Sequence, residues 1–297
     1  MRALSLALSL SASTAYAQSL PVKLHHGDTW SFTAKHERLV DGPNPRNFTV
    51  TTVKTLTWRP ESGGGQLLMA HVSVTADSGM PPEAAITQTL TIPVRLTVDA
   101  ALAPNGVINV DEVRAAVRDL ILSAGASQAD LGRMAKFNPA ILDQTAMTLA
   151  GRELGLLARV QGTSLKLDLP TYVDDEVPNP LGGPPLRARM TYLLESYNAT
   201  TGQASVSWQS SVDPQSVHDS LAELAGRAPP ERQAEADAAF AKMKVENARD
   251  CRGEIDIPTG LATKLASVNT VSVADGGEIR RTSDRWDITQ TLPGKPQ

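Results

Sequence analysis

Four groups of residues in this 297-residue chain have side chains that could do chemistry. The first is Asn105-Gly106-Val107-Ile108 with Glu112, which matches the second half of an EF-hand calcium loop. In that register the first and third ligand positions fall on Ala101 and Ala103, neither of which carries a side-chain oxygen. Half the coordination sphere is missing, so a strand turn followed by a helix cap is the simpler reading. The second group is His25, His26 and Asp28, to which folding could add His36, Glu37 or His71. Zinc sites use these types, but no spacing such as H-E-x-x-H is present. On a strand His25 and His26 would face opposite ways, and ordinary surface histidines are the expectation.

Cys251 is the third, a thiol that would need a histidine within hydrogen-bond reach to act as a nucleophile. On a strand it shares a face with Gly253, Ile255 and Ile257, the setting of a buried, inert thiol. The fourth is Asp174-Asp175-Glu176, inside a stretch rich in Pro and Gly over 170–185. That stretch reads as a long solvated loop, a mobile rim or lid, with weak cation binding as the alternative. Arg187, Arg189, Arg280, Arg281 and Arg285 fall in or beside strand segments and predict a wet outer surface. No G-x-S-x-G elbow, P-loop or dinucleotide fingerprint occurs. The reading assigns no catalytic residue, no cofactor-binding residue and no metal ligand, and the chain is not read as an enzyme.

The elements that would position any site begin with the stretch 90–121. Leu90, Ile92, Val94, Leu96 and Val98 alternate with mostly polar residues, as on a half-buried strand. Pro93 cannot donate to a ladder and belongs at an edge or a bulge. Pro104-Asn105-Gly106 supplies a tight turn. Asn109 then caps a helix with Glu112 three residues on, and Val113, Val117, Leu120 and Ile121 share its inner face. Before this, four strands linked by short turns predict an antiparallel meander over 25–98. After it come two further helices, one capped by Ser127 and Asp130, the other starting at Pro139 with its apolar stripe over 141–149; Gly151 and Gly155 weaken its continuation. Strand signals return at 164–169 and 188–194, and turn through 198–202 into a hairpin with Ala204, Val206 and Trp208. Asp213 caps another helix with Pro214 at its first position, and a further helix runs from Glu231 to about Arg249. Three closing strands follow, around Ile255 and Ile257, then 261–273, then 286–292. The fold class predicted is α+β: a large curved antiparallel sheet, a half-open barrel, packed on helices, with helical segments at about 111–157 and 214–250.

Met1-Arg2, the short apolar run 3–10 and the Ala15-Tyr16-Ala17 pattern predict a signal peptide over 1–17, cut after Ala17. The run is too short to span a membrane. The expectation is an exported protein, most simply periplasmic and bacterial, with residues 18–297 as one α+β domain. Removing Arg2 takes the net charge from −4 to −5, which argues against nucleic acid or an anionic membrane held by bulk charge. Aromatic residues make up 4% of the chain, too few for a stacking platform. One cysteine excludes an internal disulfide, so stability must come from the core.

The order of elements resembles the lipoprotein-localisation-factor architecture of the periplasm, a half-open barrel wrapped over helices that holds acyl chains. The resemblance rests on that order alone and implies a hydrophobic or lipid ligand between sheet and helices. Two other roles stay open: a structural or protein-interaction component of the cell envelope, and a hydrolase assembled from distant Ser, His and acidic residues.

Overall fold

Residues alternate between apolar and polar along most of this chain, and the computed structural model turns that alternation into an eleven-stranded antiparallel sheet. It describes residues 17–41, 46–76, 92–123, 125–137, 141–177, 179, 185–226, 230–240, 243–275 and 278–294. The strands are β2 (Thr29–Asp41), β3 (Arg46–Glu61), β4 (Gly64–Ala76), β5 (Val94–Val98), β6 (Pro104–Val107), β8 (Thr171–Val177), β9 (Leu186–Asn198), β10 (Gln203–Val212), β11 (Lys244–Asp256), β12 (Leu261–Asp275) and β13 (Glu278–Gln290). Their order is β6-β5-β4-β3-β2-β13-β12-β11-β10-β9-β8. Two meanders therefore meet where the last strand, β13, pairs with β2. A separate ribbon pairs β1 (Ala17–Ser19) with β7 (Ser164–Lys166).

The helices are α1 (Val110–Ser123), α2 (Gln128–Phe137), α3 (Ile141–Ala158), α4 (Pro214–Gly226) and α5 (Gln233–Phe240). Helix α3 organises the core. It packs on β5, β6 and β12, its Glu153 reaches Lys54 of β3, and Arg159 just past its end reaches Asp175 of β8. Nine strand spacings separate β5 from β8, roughly 43 Å if flat. A helix of this length spans only about 27 Å. One helix touches both ends because the sheet curls around it, which is the half-open barrel. Leu154 and Leu157 on α3 meet Phe32, Leu56, Met69, Val206 and Ile288 on the concave face in one continuous core.

Local chemistry explains much of this. Ser127 and Asp130 cap α2 reciprocally, Asp130 N–H donating to Ser127 Oγ and Ser127 N–H to Asp130 Oδ2. Asp213 Oδ1 accepts from Gln215 N–H at the start of α4. The hairpin of β9 and β10 forms as its sequence predicts, with Asn198 Oδ1 accepting from Thr200 and Thr201 N–H.

Several expectations are corrected. The helix from Glu231 to about Arg249 ends at Phe240, and 244–250 begin β11. Val245, Asn247 and Arg249 do alternate inward, but two of the three are polar, so the period is masked. The 170–185 loop contains an edge strand, β8, held by cross-strand charge pairs such as Arg189 with Asp174. The rest of that loop lies mostly outside the described residues. Pro104-Asn105-Gly106 is a strand, and Pro104 can start it because β6 is an edge. The turn falls earlier, where Asp99 Oδ1 accepts from Ala101 and Ala103 N–H and Leu102 takes a positive φ. Strand β5 starts at Val94, one residue past Pro93; Leu90 lies outside the described residues. Asn109 begins α1, but its carboxamide oxygen accepts from Arg95 N–H and so ties the helix to β5. Gly151 and Gly155 do not end α3. Gly151 lets the helix approach Pro104, whose ring carbons would lie 3.1 Å from an added Cβ.

Candidate functional site

Polar and charged residues that the alternation places on the concave face form a band across the middle of the sheet. In one register row, His36, Trp286, Ser267, Cys251 and Trp208 stand side by side on β2, β13, β12, β11 and β10. In the next, Arg38, Asp284, Asn269, Arg249 and Ser210 do the same. Arg152 descends from α3 onto this band, its guanidinium carbon 4.4 Å from the centre of the Trp286 ring.

His36 is buried and stacks on Trp286 with centroids 4.0 Å apart, while Phe48 meets it edge-on at 5.5 Å. Its Nε2 is 2.9 Å from Asp284 Oδ1. Burial lowers its pKa more strongly than the Asp284 hydrogen bond raises it. Burial raises the Asp284 carboxyl, but His36, Arg38 and Arg152 outweigh this and hold it below the usual range. Deeper in the core, Lys54 Nζ donates to Glu153 Oε1 at 2.9 Å. Beyond α3, Arg159 donates to Asp175 at 2.7 Å and lies over Trp208.

Several buried polar atoms in and around this band have no hydrogen-bond partner among the described residues: His36 Nδ1, Ser267 Oγ, Trp208 Nε1, Arg152 Nε and Arg249 Nε. Thr52 Oγ1 and Glu153 Oε2 share that state beside the Lys54 pair. Most buried polar groups in folded chains are paired, so these unpaired atoms single out the band.

The His36–Asp284 pair has the form of a general-base dyad, and among the described residues Ser267 does not complete it. His36 Nδ1 and Ser267 Oγ each lack a partner, so they are not bonded to each other, and Trp286 stands between them in the register. Cys251 is buried, and desolvation pushes its thiol up to about 11. It shares the inner face with Gly253 and Ile255, as its sequence predicts.

Of the residues singled out in the sequence, few converge. His25 and His26 are exposed in a turn rather than on a strand, where the backbone N–H of His25 donates to Asp28. His36 faces the hollow, while Glu37 faces outward beside Lys35. The His71 side chain lies outside the described residues. Glu112 accepts from Asn109, and Asn105 is on β6. Among the described residues no three His, Cys, Asp or Glu gather as a metal site would require. Arg187, Arg189, Arg281 and Arg285 lie on the exposed outer face as expected, whereas Arg280 is exposed on the side that Asp284 shares; with Asp174 and Asp213 the first two line an open groove of about 820 Å³. Sequence reasoning missed Arg152, Arg249 and Asp284. The available signal was an inward parity shared with apolar neighbours, as at Arg249 with Cys251 and Ile255.

No family model and no curated protein sequence matches the chain. Among solved structures it is similar to lipovitellin, in a structure of its lipid–protein interactions, with a TM-score of 0.46 and 11% identity over 93% of this chain. It spans 26% of the lipovitellin chain. DynF of the dynemicin biosynthesis pathway of Micromonospora chersina aligns with a TM-score of 0.21 and 6% identity, over 95% of this chain and 88% of that one.

Proposed function

We propose that this chain is an exported, non-catalytic binding protein that carries or senses a hydrophobic ligand on its concave face. The observation behind this reading is the part of that face beyond the main core under α3. Two small apolar clusters flank it, Phe48 and Val50 with Val74 on one side, Leu186 of β9 with Val217 and Leu221 of α4 on the other. Between them, inward-facing Val40 and Val271 stay only half-buried. A concave apolar surface crossed by a few fixed polar groups suits an amphipathic small molecule. Export, to the periplasm or out of the cell, rests on the leader pattern ending at Ala17. Cutting after Ala17 would leave Gln18 and Ser19 paired with Leu165 and Ser164. Among the described residues no helix is long and apolar enough to cross a membrane.

The test is binding of a neutral apolar fluorophore, N-phenyl-1-naphthylamine, together with native mass spectrometry of material purified without solvent. Saturable binding that Val271→Arg removes, or a co-purifying lipid, supports the reading. No saturable binding and no retained lipid would overturn it.

A second reading is favoured by the free edge of the sheet. On β8, Tyr172 and Val173 are 65% and 44% exposed. An envelope protein could add a strand there. Capture of a defined partner that Tyr172→Asp abolishes, with folding unchanged, would support it.

A further inference from the structure

We infer that the hollow of the sheet holds the acidic headgroup of its ligand, a carboxylate or phosphate, between the guanidinium groups of Arg152 and Arg249. This rests on the binding reading above and names the class of ligand.

Four guanidinium groups face this region, those of Arg38, Arg152, Arg159 and Arg249, against two carboxylates, Asp284 and Asp175. Lys54 and Glu153 neutralise each other. Asp175 is bonded to Arg159, and Asp284 Oδ1 is shared between His36 at 2.9 Å and Arg38 at 3.8 Å. Among the described residues Arg152 and Arg249 make no ion pair, although the Glu153 carboxylate acts on Arg152 through space, and the Nε–H of each is buried with no acceptor. A guanidinium does not shed its proton to escape burial. A desolvated cation without an anion is unfavourable, and two near one another are worse. Arg249 and Asp284 stand in one register row, two strands apart, and Arg152 lies over Trp286 in the row beside it.

Geometry supplies the second line. Arg249 stands on β11 in the row next to Trp286, and Arg152 lies over the Trp286 ring, so both cations border one aromatic floor. Trp208 Nε1 and Ser267 Oγ, also without a hydrogen-bond partner, stand in the row of Trp286 itself. Donors gathered in two adjacent register rows suit an oxyanion with several acceptor oxygens. One dianionic phosphate would neutralise the unmatched charge of two, and a carboxylate monoanion would halve it. The half-buried apolar side chains beside the band, Val271 among them, would receive the tail.

The experiment uses the full chain after delipidation and three probes: cis-parinaric acid, its methyl ester and inorganic phosphate. The acid is expected to bind at least tenfold tighter than the ester. Arg249→Gln and Arg152→Gln should each weaken the acid about tenfold and leave the ester unchanged, while Arg285→Gln on the outer face alters neither. Should a glutamine variant unfold, Arg249→Lys and Arg152→Lys keep the charge and should retain most of the preference for acid over ester. Equal binding of acid and ester, insensitive to both arginines, overturns the headgroup site and leaves the hydrophobic reading standing. Tight phosphate binding with no gain from the tail upholds the anion site and overturns the hydrophobic reading. Failure of all three probes overturns both.

Discussion

Glu153 of α3 accepts a 2.9 Å hydrogen bond from Lys54 of β3 with both side chains almost completely buried, 99 residues apart in sequence. The pair fixes the rotation of the central helix against the sheet and so decides which α3 residues look into the hollow. Glu153→Gln leaves the Lys54 ammonium buried and uncompensated and should cost about 3–5 kcal/mol. Replacing both, Lys54→Met with Glu153→Leu, should come close to wild-type stability or exceed it. Urea unfolding of the three proteins decides this. A single variant that loses under about 1 kcal/mol would show that the pair is not desolvated as described.

The buried imidazole of His36 gives stability a pH dependence of known sign. Burial lowers its pKa below the ordinary 6.5, against the pull of Asp284. The unfolded chain therefore binds a proton more readily than the folded one. The stability is full above pH 6.5 and falls as pH drops below it, by at most about 1.4 kcal/mol per pH unit. Unfolding free energies measured between pH 5 and 7.5 should show this slope, and His36→Gln should reduce it. An unchanged slope in the variant would assign the effect elsewhere.

Two glycines with the same backbone requirement differ in their surroundings. Gly260 and Gly27 both take positive φ, 70° and 85°. A Cβ on Gly260 would lie 2.1 Å from the Pro21 carbonyl oxygen, whereas one on Gly27 would meet nothing within 4 Å. Gly27→Ala should cost about 1 kcal/mol from the left-handed backbone alone. Gly260→Ala adds a backbone clash and should cost roughly 2–4 kcal/mol. Thermal unfolding of the two variants tests the difference. Equal losses would mean the segment at Pro21 moves aside freely.

Cys251 should be nearly inert while the chain is folded. Its thiol is buried, and desolvation raises it to about 11. Labelling with Ellman's reagent at pH 8 should be slow in buffer and fast in urea. Fast labelling of the native protein would remove Cys251 from the packed inner face.

By itself the sequence determined the local conformations. Trp30, Phe32 and Ala34 alternate, Ser127 and Asp130 cap reciprocally, and Asn198 turns a hairpin, because period, cap and turn are written in residues a few positions apart. From these the α+β class and the antiparallel sheet followed. Only the tertiary structure decided that β13 pairs with β2, which brings Asp284 to His36 across 248 residues. Only it showed that Arg249 faces inward from a strand rather than outward from a helix. The physical reason is common to both. A charged residue in a local window carries the signature of solvent, and its burial is set by which distant faces close over it. Those closures depend on the register of strands far apart in the chain, which no short-range pattern specifies.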